Sequence, residues 1–333
     1  MTVKELAKLA NVSPATISIV LNNKKGVSDE TRKRVQSLLK QYNYELPVKS
    51  KVPVKNVRFL KYKDHGQIVD GNEGFVSNII DAIELECRNY GYNLSITSTS
   101  GDFGLALETV SREPSDGLII LGTEIHPEAY HYLDNIRIPF IIVDNIMQFS
   151  QHDCVLMNND ETVYHALQHL HALGHKKIAY IKSEIRISNF DERQEAFYKY
   201  CDQLGLTCHE DFVFQVSPTL DGSYASMQQI LKTSPTLPSC LFAENDTMAI
   251  GVIKALKEAG YRIPRDISIM GFDDIAYSTI INPGLTTMRI PKKTIGALAV
   301  QRLNRRIQNP KSNDVKIRIG AKLIVRGSTA PHK

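Results

Sequence analysis

Two periodicities divide this chain, and the change between them falls near residue 55. In the first forty or so residues apolar positions recur every three or four places, the spacing of one helix face. Leu6, Ala7 and Ala10 share such a face and predict a first helix over about 3–9. Asn11-Val12-Ser13 breaks it. Ser13 is placed to cap a second helix, and Pro14 sits in that helix's first turn, where a missing N–H costs nothing. Ile17, Val20 and Leu21 point inward from the second helix, which turns Pro14, Ala15, Thr16, Ser18 and Ile19 largely outward. A third helix follows, with Ser28 as N-cap, Asp29 and Glu30 in its first turn, and Val35, Leu38 and Leu39 as its buried stripe; Asn43 marks its end. Three helices of this size share one small core, marginal until a second copy or DNA adds to it.

Residues 45–55, ELPVKSKVPVK, carry prolines, lysines and little periodicity, and read as a linker. Beyond them short apolar runs alternate with helical stretches. Strands are predicted at 57–62, 93–97, 117–121, 140–143, 177–181, 239–242 and 267–271. Helices are predicted at 74–90, 105–112, 161–173, 191–204, 224–233, 247–259 and 294–308. Compact apolar strands between helices mean parallel sheets covered on both faces. The count suits two open sheets, whose facing carboxyl ends would form a clamshell cleft for a ligand. The predicted organisation is a helical headpiece over 1–46, a linker over 47–55 and an α/β core over 56–330.

Charge adds a partner to the headpiece. Residues 1–58 hold twelve Lys or Arg against four acids, a net of +8, whereas the whole chain carries only +4. A basic helical module on a mildly acidic body is a localised footprint for nucleic acid. A helix-turn-helix presents the start of its second helix to base edges and the flanking hydroxyls and amides to phosphates. The expected DNA-binding set is therefore Lys4, Ser13, Pro14, Ala15, Thr16, Ser18, Ile19, Asn22, Ser28 and Arg32.

Composition removes other classes. No apolar run approaches a membrane span, and the start of the chain has no signal-peptide pattern. Five scattered cysteines without a CxxC pair suit a reducing cytoplasm. There is no GxGxxG, GxxxxGK[ST] or GxSxG, so neither an enzyme nor a cofactor is expected. His165, His169, His171 and His175 have a metal-like spacing, but no cysteine or acid nearby completes a ligand set, so no metal is expected.

Seven ordered motifs give the chain a family likeness. It resembles the LacI/GalR (lactose-repressor) family of bacterial transcription regulators through the opening TVKELAKLANVSPATISIVLNN, then VSDETRKRV at 27–35, ALGHKKIA at 172–179, AENDTMAIG at 243–251, RIPRDISIMGFDD at 262–274, and PGLTT at 283–287 with VRGST at 325–329. The resemblance implies a helix-turn-helix headpiece on a periplasmic-binding-protein-like core of two parallel-sheet subdomains. It implies an N-subdomain of about 56–157 and 290–315, and a C-subdomain of about 158–289 and 316–330. It also implies a homodimer on a near-palindromic operator, with a small molecule, commonly a sugar, bound between the subdomains and coupled to DNA affinity. The alternatives are a corepressor-type member with a non-sugar effector such as a purine, and a cytoplasmic solute-binding protein.

Cleft positions carry over one at a time. Asp273 matches the acid that bonds effector hydroxyls, Asn245 the amide beside it, and Arg193 the arginine that clamps effector oxygens. Phe190 falls in the same motif as Arg193. Asp144 matches an acid of the first subdomain and Phe75 an aromatic at the cleft mouth. Each has a plainer reading: Phe75 as core packing, and Asp246 and Asp274 as helix caps, a role their neighbours could share. No aromatic lies between Gln215 and Ser223, where many sugar-binding relatives stack one. The DNA side departs as well. Ile19 stands where the family has Arg or His, and Pro47 and Pro53 interrupt the segment that forms a hinge helix in relatives.

Overall fold

The computed structural model describes residues 3–21, 24, 26–42, 55–233 and 235–332, and divides into units of Met1–Val54 and Lys55–Lys333. The expected helix end at Asn43, the DNA contact Asn22, the side chain of Lys4 and the linker over 47–53 lie outside the described residues.

The first unit holds helices α1 (Val3–Leu9), α2 (Pro14–Leu21) and α3 (Asp29–Gln41). Ser13 Oγ accepts the Thr16 N–H at 3.1 Å and Ser28 Oγ accepts the Thr31 N–H at 3.3 Å, so both predicted caps are made. Ala7, Ala10, Ile17, Val20 and Val35 form the core, with Leu21, Leu38 and Leu39 packed partly buried around them.

The second unit alternates as its sequence predicts. Its first half runs β1 (Asn56–Lys63), α4 (Glu73–Asn89), β2 (Asn93–Ser100), α5 (Phe103–Ser111), β3 (Gly117–Leu121), β4 (Phe140–Val143) and β5 (Cys154–Met157). Then come α6 (Asn159–Ala172), β6 (Ile178–Ser183), α7 (Ser188–Gln203), β7 (Val213–Val216), α8 (Leu220–Lys232), β8 (Cys240–Ala243) and α9 (Asp246–Glu258). The chain closes with β9 (Ser268–Asp273), α10 (Tyr277–Ile280), β10 (Thr286–Arg289), α11 (Lys292–Gln308), β11 (Lys316–Ile319) and β12 (Lys322–Ile324).

Two six-stranded sheets result, ordered β11-β5-β4-β3-β1-β2 and β12-β10-β9-β8-β6-β7. All pairings are parallel except β10 with β12. Strands β3, β8 and β9 are buried along their whole length, as strands covered on both faces must be. Helix α11 returns to the first sheet and lies against α4. A Cβ on Gly296 would stand 2.6 Å from the Ile79 carbonyl oxygen, so glycine is what lets the two helices touch.

One expected boundary is corrected. Residues 316–319 were assigned to the C-subdomain, but β11 pairs with β5 and closes the edge of the first sheet. The chain changes sheets at 320–321 instead, because only the next three residues pair with β10. It thus passes between subdomains three times: after β5, between β10 and α11, and between β11 and β12.

Candidate ligand cleft and DNA-reading helix

On the headpiece, Pro14, Ala15 and Ser18 are exposed at the start of α2, while Thr16 and Ile19 are half-exposed. Of the flanking set, Ser13 and Ser28 serve as caps, and Arg32 Nη2 donates to the Lys24 carbonyl oxygen at 2.5 Å.

In the larger unit, strand ends of both sheets face one small cavity. All six cleft residues carried over from the resemblance line it: Phe75, Asp144, Phe190, Arg193, Asn245 and Asp273. They are separated by up to 198 positions in the chain, and strand topology is what gathers them.

The two sheets make matching contributions. Asp144 follows β4 and Asp273 ends β9, the third strand of each sheet in the orders above, and both have positive φ, at 66° and 112°. Non-glycine residues rarely hold such angles unless the surroundings enforce them. Each acid is met by an asparagine from the other subdomain. Asn189, at the start of α7, donates to Asp144 Oδ1 at 3.0 Å, and Asn72, the residue before α4, donates to Asp273 Oδ2 at 2.9 Å. These reciprocal bonds draw the cleft together. Thr123 adds a hydroxyl bond to Asp144 Oδ2 at 2.5 Å.

Arg193 is buried between the acids. Its Nε donates to Asn159 Oδ1 at 2.9 Å and its Nη1 to the Glu244 carbonyl oxygen at 2.5 Å, and its guanidinium lies 3.8 Å from the centre of the Phe272 ring. Its Nη2 stands 3.8 Å from Asp273 Oδ1, beyond hydrogen-bond length. Asp273 Oδ1 and Asn72 Oδ1 are both buried without a partner. Both residues line the cavity. Lys292 Nζ donates to the main-chain oxygens of Asp273 and Asp274 and stands 5.6 Å from the Phe75 ring centre.

Burial dominates the electrostatics. It pushes the Asp144 carboxyl up to about 7 against the pull of Thr123 and Arg193, and raises Asp273 against Arg193 and Lys292. Burial likewise depresses the Lys292 ammonium.

Two expected capping roles are corrected. Asp246 does not cap α9; Asn245 does, its Oδ1 accepting the Met248 N–H at 2.9 Å. Asp246 is fully buried and takes bonds from Ser278 and Thr287 hydroxyls, both at 2.6 Å, and from the Ile275 N–H at 3.0 Å. Gly271 is needed beside it, since a Cβ there would meet Asp246 Oδ1 at 2.2 Å. Asp274 is no cap either: Arg289 and Arg326 hold its carboxylate at 2.5 and 2.6 Å. Phe75 keeps both readings, lining the cavity while belonging to the core of the first sheet.

Sequence reasoning missed Asn72, Thr123, Asn189 and Lys292 as cleft residues. Asn189 directly precedes Phe190, and that adjacency could have found it; Asn72 looks like any turn asparagine, and nothing marks Lys292. The histidines are engaged elsewhere. His175 contacts Ser239 Oγ at 2.9 Å and the Ala330 carbonyl oxygen at 3.2 Å, and His169 contacts Thr329 Oγ1 at 3.3 Å. Among the described residues no cluster suited to a metal ion occurs, and no helix is long and apolar enough to cross a membrane.

Comparison with known proteins agrees with both units. Residues 2–45 match the family model for bacterial regulatory proteins of the lacI family, and residues 167–329 that for a periplasmic binding protein-like domain. The chain is 31% identical over 335 residues to the HTH-type transcriptional repressor PurR of Mannheimia succiniciproducens, spanning 98% of both. It is 30% identical over 316 residues to the ribose operon repressor of Haemophilus influenzae, covering 94% of this chain and 93% of that one. Among solved structures, a LacI family regulator from Enterococcus faecium with bound ribose is 27% identical, with a TM-score of 0.71 over 84% of this chain and 100% of its own. The lac repressor dimer bound to operator, 22% identical with a TM-score of 0.73 over 99% of both chains, shares the fold. The chain belongs to the lacI family of bacterial transcription regulators.

Proposed function

We propose that this regulator is a cytoplasmic repressor without catalytic activity. It works as a homodimer on two-fold operator DNA, and a small polyhydroxylated ligand of pentose size in the cleft sets its operator affinity. The observation that carries this reading is a pair of buried acceptors without a hydrogen-bond partner, Asp273 Oδ1 and Asn72 Oδ1, on two residues that line one small cavity with Arg193. Buried acceptors left unmade are costly, and a ligand bearing several hydroxyls meets both while its oxygens accept from Arg193. Phe75 and Phe190 supply apolar walls for a sugar's C–H face. Bound ribose in the Enterococcus faecium relative supports the same class. On the DNA side, the exposed start of α2 offers Pro14, Ala15 and Ser18 to base edges, and the Ile19 side chain suits a thymine methyl.

A thermal-shift screen of pentoses, hexoses, sugar phosphates, nucleosides and purine bases tests the ligand, with Asp273→Ala as control. A pentose that raises the melting temperature of the wild type alone is the expected result. Stabilisation by a purine base and not by a pentose refutes the sugar assignment. Asp273→Ala is expected to bind operator normally and to lose the ligand response; loss of operator binding as well would make Asp273 structural.

A further inference from the structure

Two buried carboxylates outside the ring of cleft acids recur at matching places in the two sheets. Glu124 stands three residues beyond β3, and its side chain takes five main-chain N–H bonds. Oε2 accepts from Asp64 at 2.9 Å, His65 at 3.2 Å and Gly66 at 2.9 Å; Oε1 accepts from Ile68 at 3.1 Å and Val69 at 2.9 Å. Converging amides of this kind make a concavity suited to a bound anion, and here the anion is the chain's own carboxylate. The gripped segment joins β1 to α4. It places Ile68 and Val69 on the cavity wall and leads directly to Asn72, which bonds Asp273 across the cleft.

Glu244 repeats the device just after β8. Its Oε2 accepts the Ser183 N–H at 2.7 Å, its Oε1 accepts the Tyr180 hydroxyl at 2.8 Å, and Arg186 Nη1 reaches both oxygens. The segment it holds follows β6, carries Ile187 to the cavity and leads to Asn189, which bonds Asp144. Strands β3 and β8 occupy equivalent ranks in their sheets, as do β1 and β6. The same order of parts therefore occurs twice: glutamate, gripped loop, asparagine, and an acid of the opposite subdomain.

We infer that Glu124 is a positioning residue for ligand capture, acting through the 64–69 segment to hold Asn72, Ile68 and Val69 in their cleft-closing places. This rests on the reading of the cleft as a pentose site. Glu124 touches no ligand itself. Its effect comes from geometry: a carboxylate alone presents two acceptor oxygens and no donor to five inward-pointing amides. Glu124→Gln keeps the shape but turns an –NH2 toward at least two of those N–H groups, whichever way the amide lies.

The test uses the full chain and ribose as the probe, with wild type, Glu124→Gln and Glu124→Asp compared. Three quantities are measured: amide hydrogen exchange, ribose affinity, and affinity for an operator selected from random duplex DNA. In Glu124→Gln the amides of 64–69 are expected to lose protection and ribose affinity to fall about tenfold or more, with ribose-free operator affinity unchanged. Glu124→Asp, which keeps the charge but shortens the reach, is expected to fall between. Protected amides with unchanged ribose affinity overturn the inference. So does released exchange without any loss of ribose affinity, and so does a parallel fall in operator binding, which would mark a merely structural role. Wild-type protein that binds no ribose overturns the pentose reading instead. Exchange then decides on Glu124 alone: release confined to 64–69 and the first turn of α4 supports the anchoring, and unchanged protection overturns it.

Discussion

Asp144→Asn is expected to make the ligand-free protein more stable, by an amount that grows with pH. The Asp144 carboxyl is buried, and burial lifts it from an ordinary 3.8 to about 7. Below about pH 3 the group is mostly neutral in the folded and unfolded chain alike and affects stability little. As pH rises, the unfolded chain ionises first and draws the equilibrium toward unfolding, until the folded carboxyl also ionises near pH 7. At about 1.4 kcal/mol per unit, the destabilisation amounts to roughly 2 kcal/mol at pH 5 and roughly 4 kcal/mol at pH 8. Asparagine carries no such penalty. Its Oδ1 can take the Asn189 bond and its Nδ2 can face Thr123, whose hydroxyl turns from donor to acceptor. Thermal unfolding of both proteins at pH 5 and pH 8, without ligand, is the assay. The variant's advantage is expected to widen to on the order of 10 °C at pH 8, using a few degrees per kcal/mol for a body of this size. A gap that is the same at both pH values refutes the reasoning, as does a variant that melts below the wild type at pH 8.

Gly271→Ala forces a methyl group to within 2.2 Å of Asp246 Oδ1, and the three bonds held by the two oxygens of that carboxylate leave it no room to retreat. A loss of roughly 1–3 kcal/mol in chemical denaturation is expected, and a neutral result would mean that β9 can shift. Ser13→Ala removes the α2 cap and should cost the headpiece about 1 kcal/mol, read as a lower headpiece melting temperature. Substitutions at Pro14 or Ala15 are expected to change which operators are selected from random DNA while leaving ligand binding intact; unchanged selected sites would count against α2 as the reading helix.

Legibility in the sequence followed burial only in part, since the mostly exposed β2 was read and the buried β5 was not. Strands β1, β3, β4, β6, β8 and β9 were readable because runs such as GLIIL and FIIV are apolar on both faces. Strands β10, β11 and β12 were not, since TTMR, KIRI and KLI mix threonine, lysine and arginine with few apolar residues; β5 and β7 were missed as well, although β5 is buried along its whole length. An edge strand needs only one covered face, and its partner can lie far away in the chain; β11 joins β5 across more than 150 positions. Helices α7 and α8 begin three and four residues before their predicted starts, because Ser188 and Leu220 open first turns that hold few apolar residues. The six cleft residues came from family likeness, not periodicity. Spacing alone does not tell a buried structural acid such as Asp246 from a cleft acid such as Asp273, since the difference lies in which neighbours fold over each.

Seven residues of paired strand, 316–319 and 322–324, close one edge of each sheet with only Gly320 and Ala321 between them. That short run behaves as a clasp fastened late, after every other strand has been made. A chain stopped at residue 315 would lose both edges at once and leave the backbones of β5 and β10 open to pairing with a neighbour's strands. Incomplete copies of this repressor are thus marked for aggregation or proteolysis rather than for a half-working life on DNA, and a deletion at this end should be read out in solubility before it is read out in regulation.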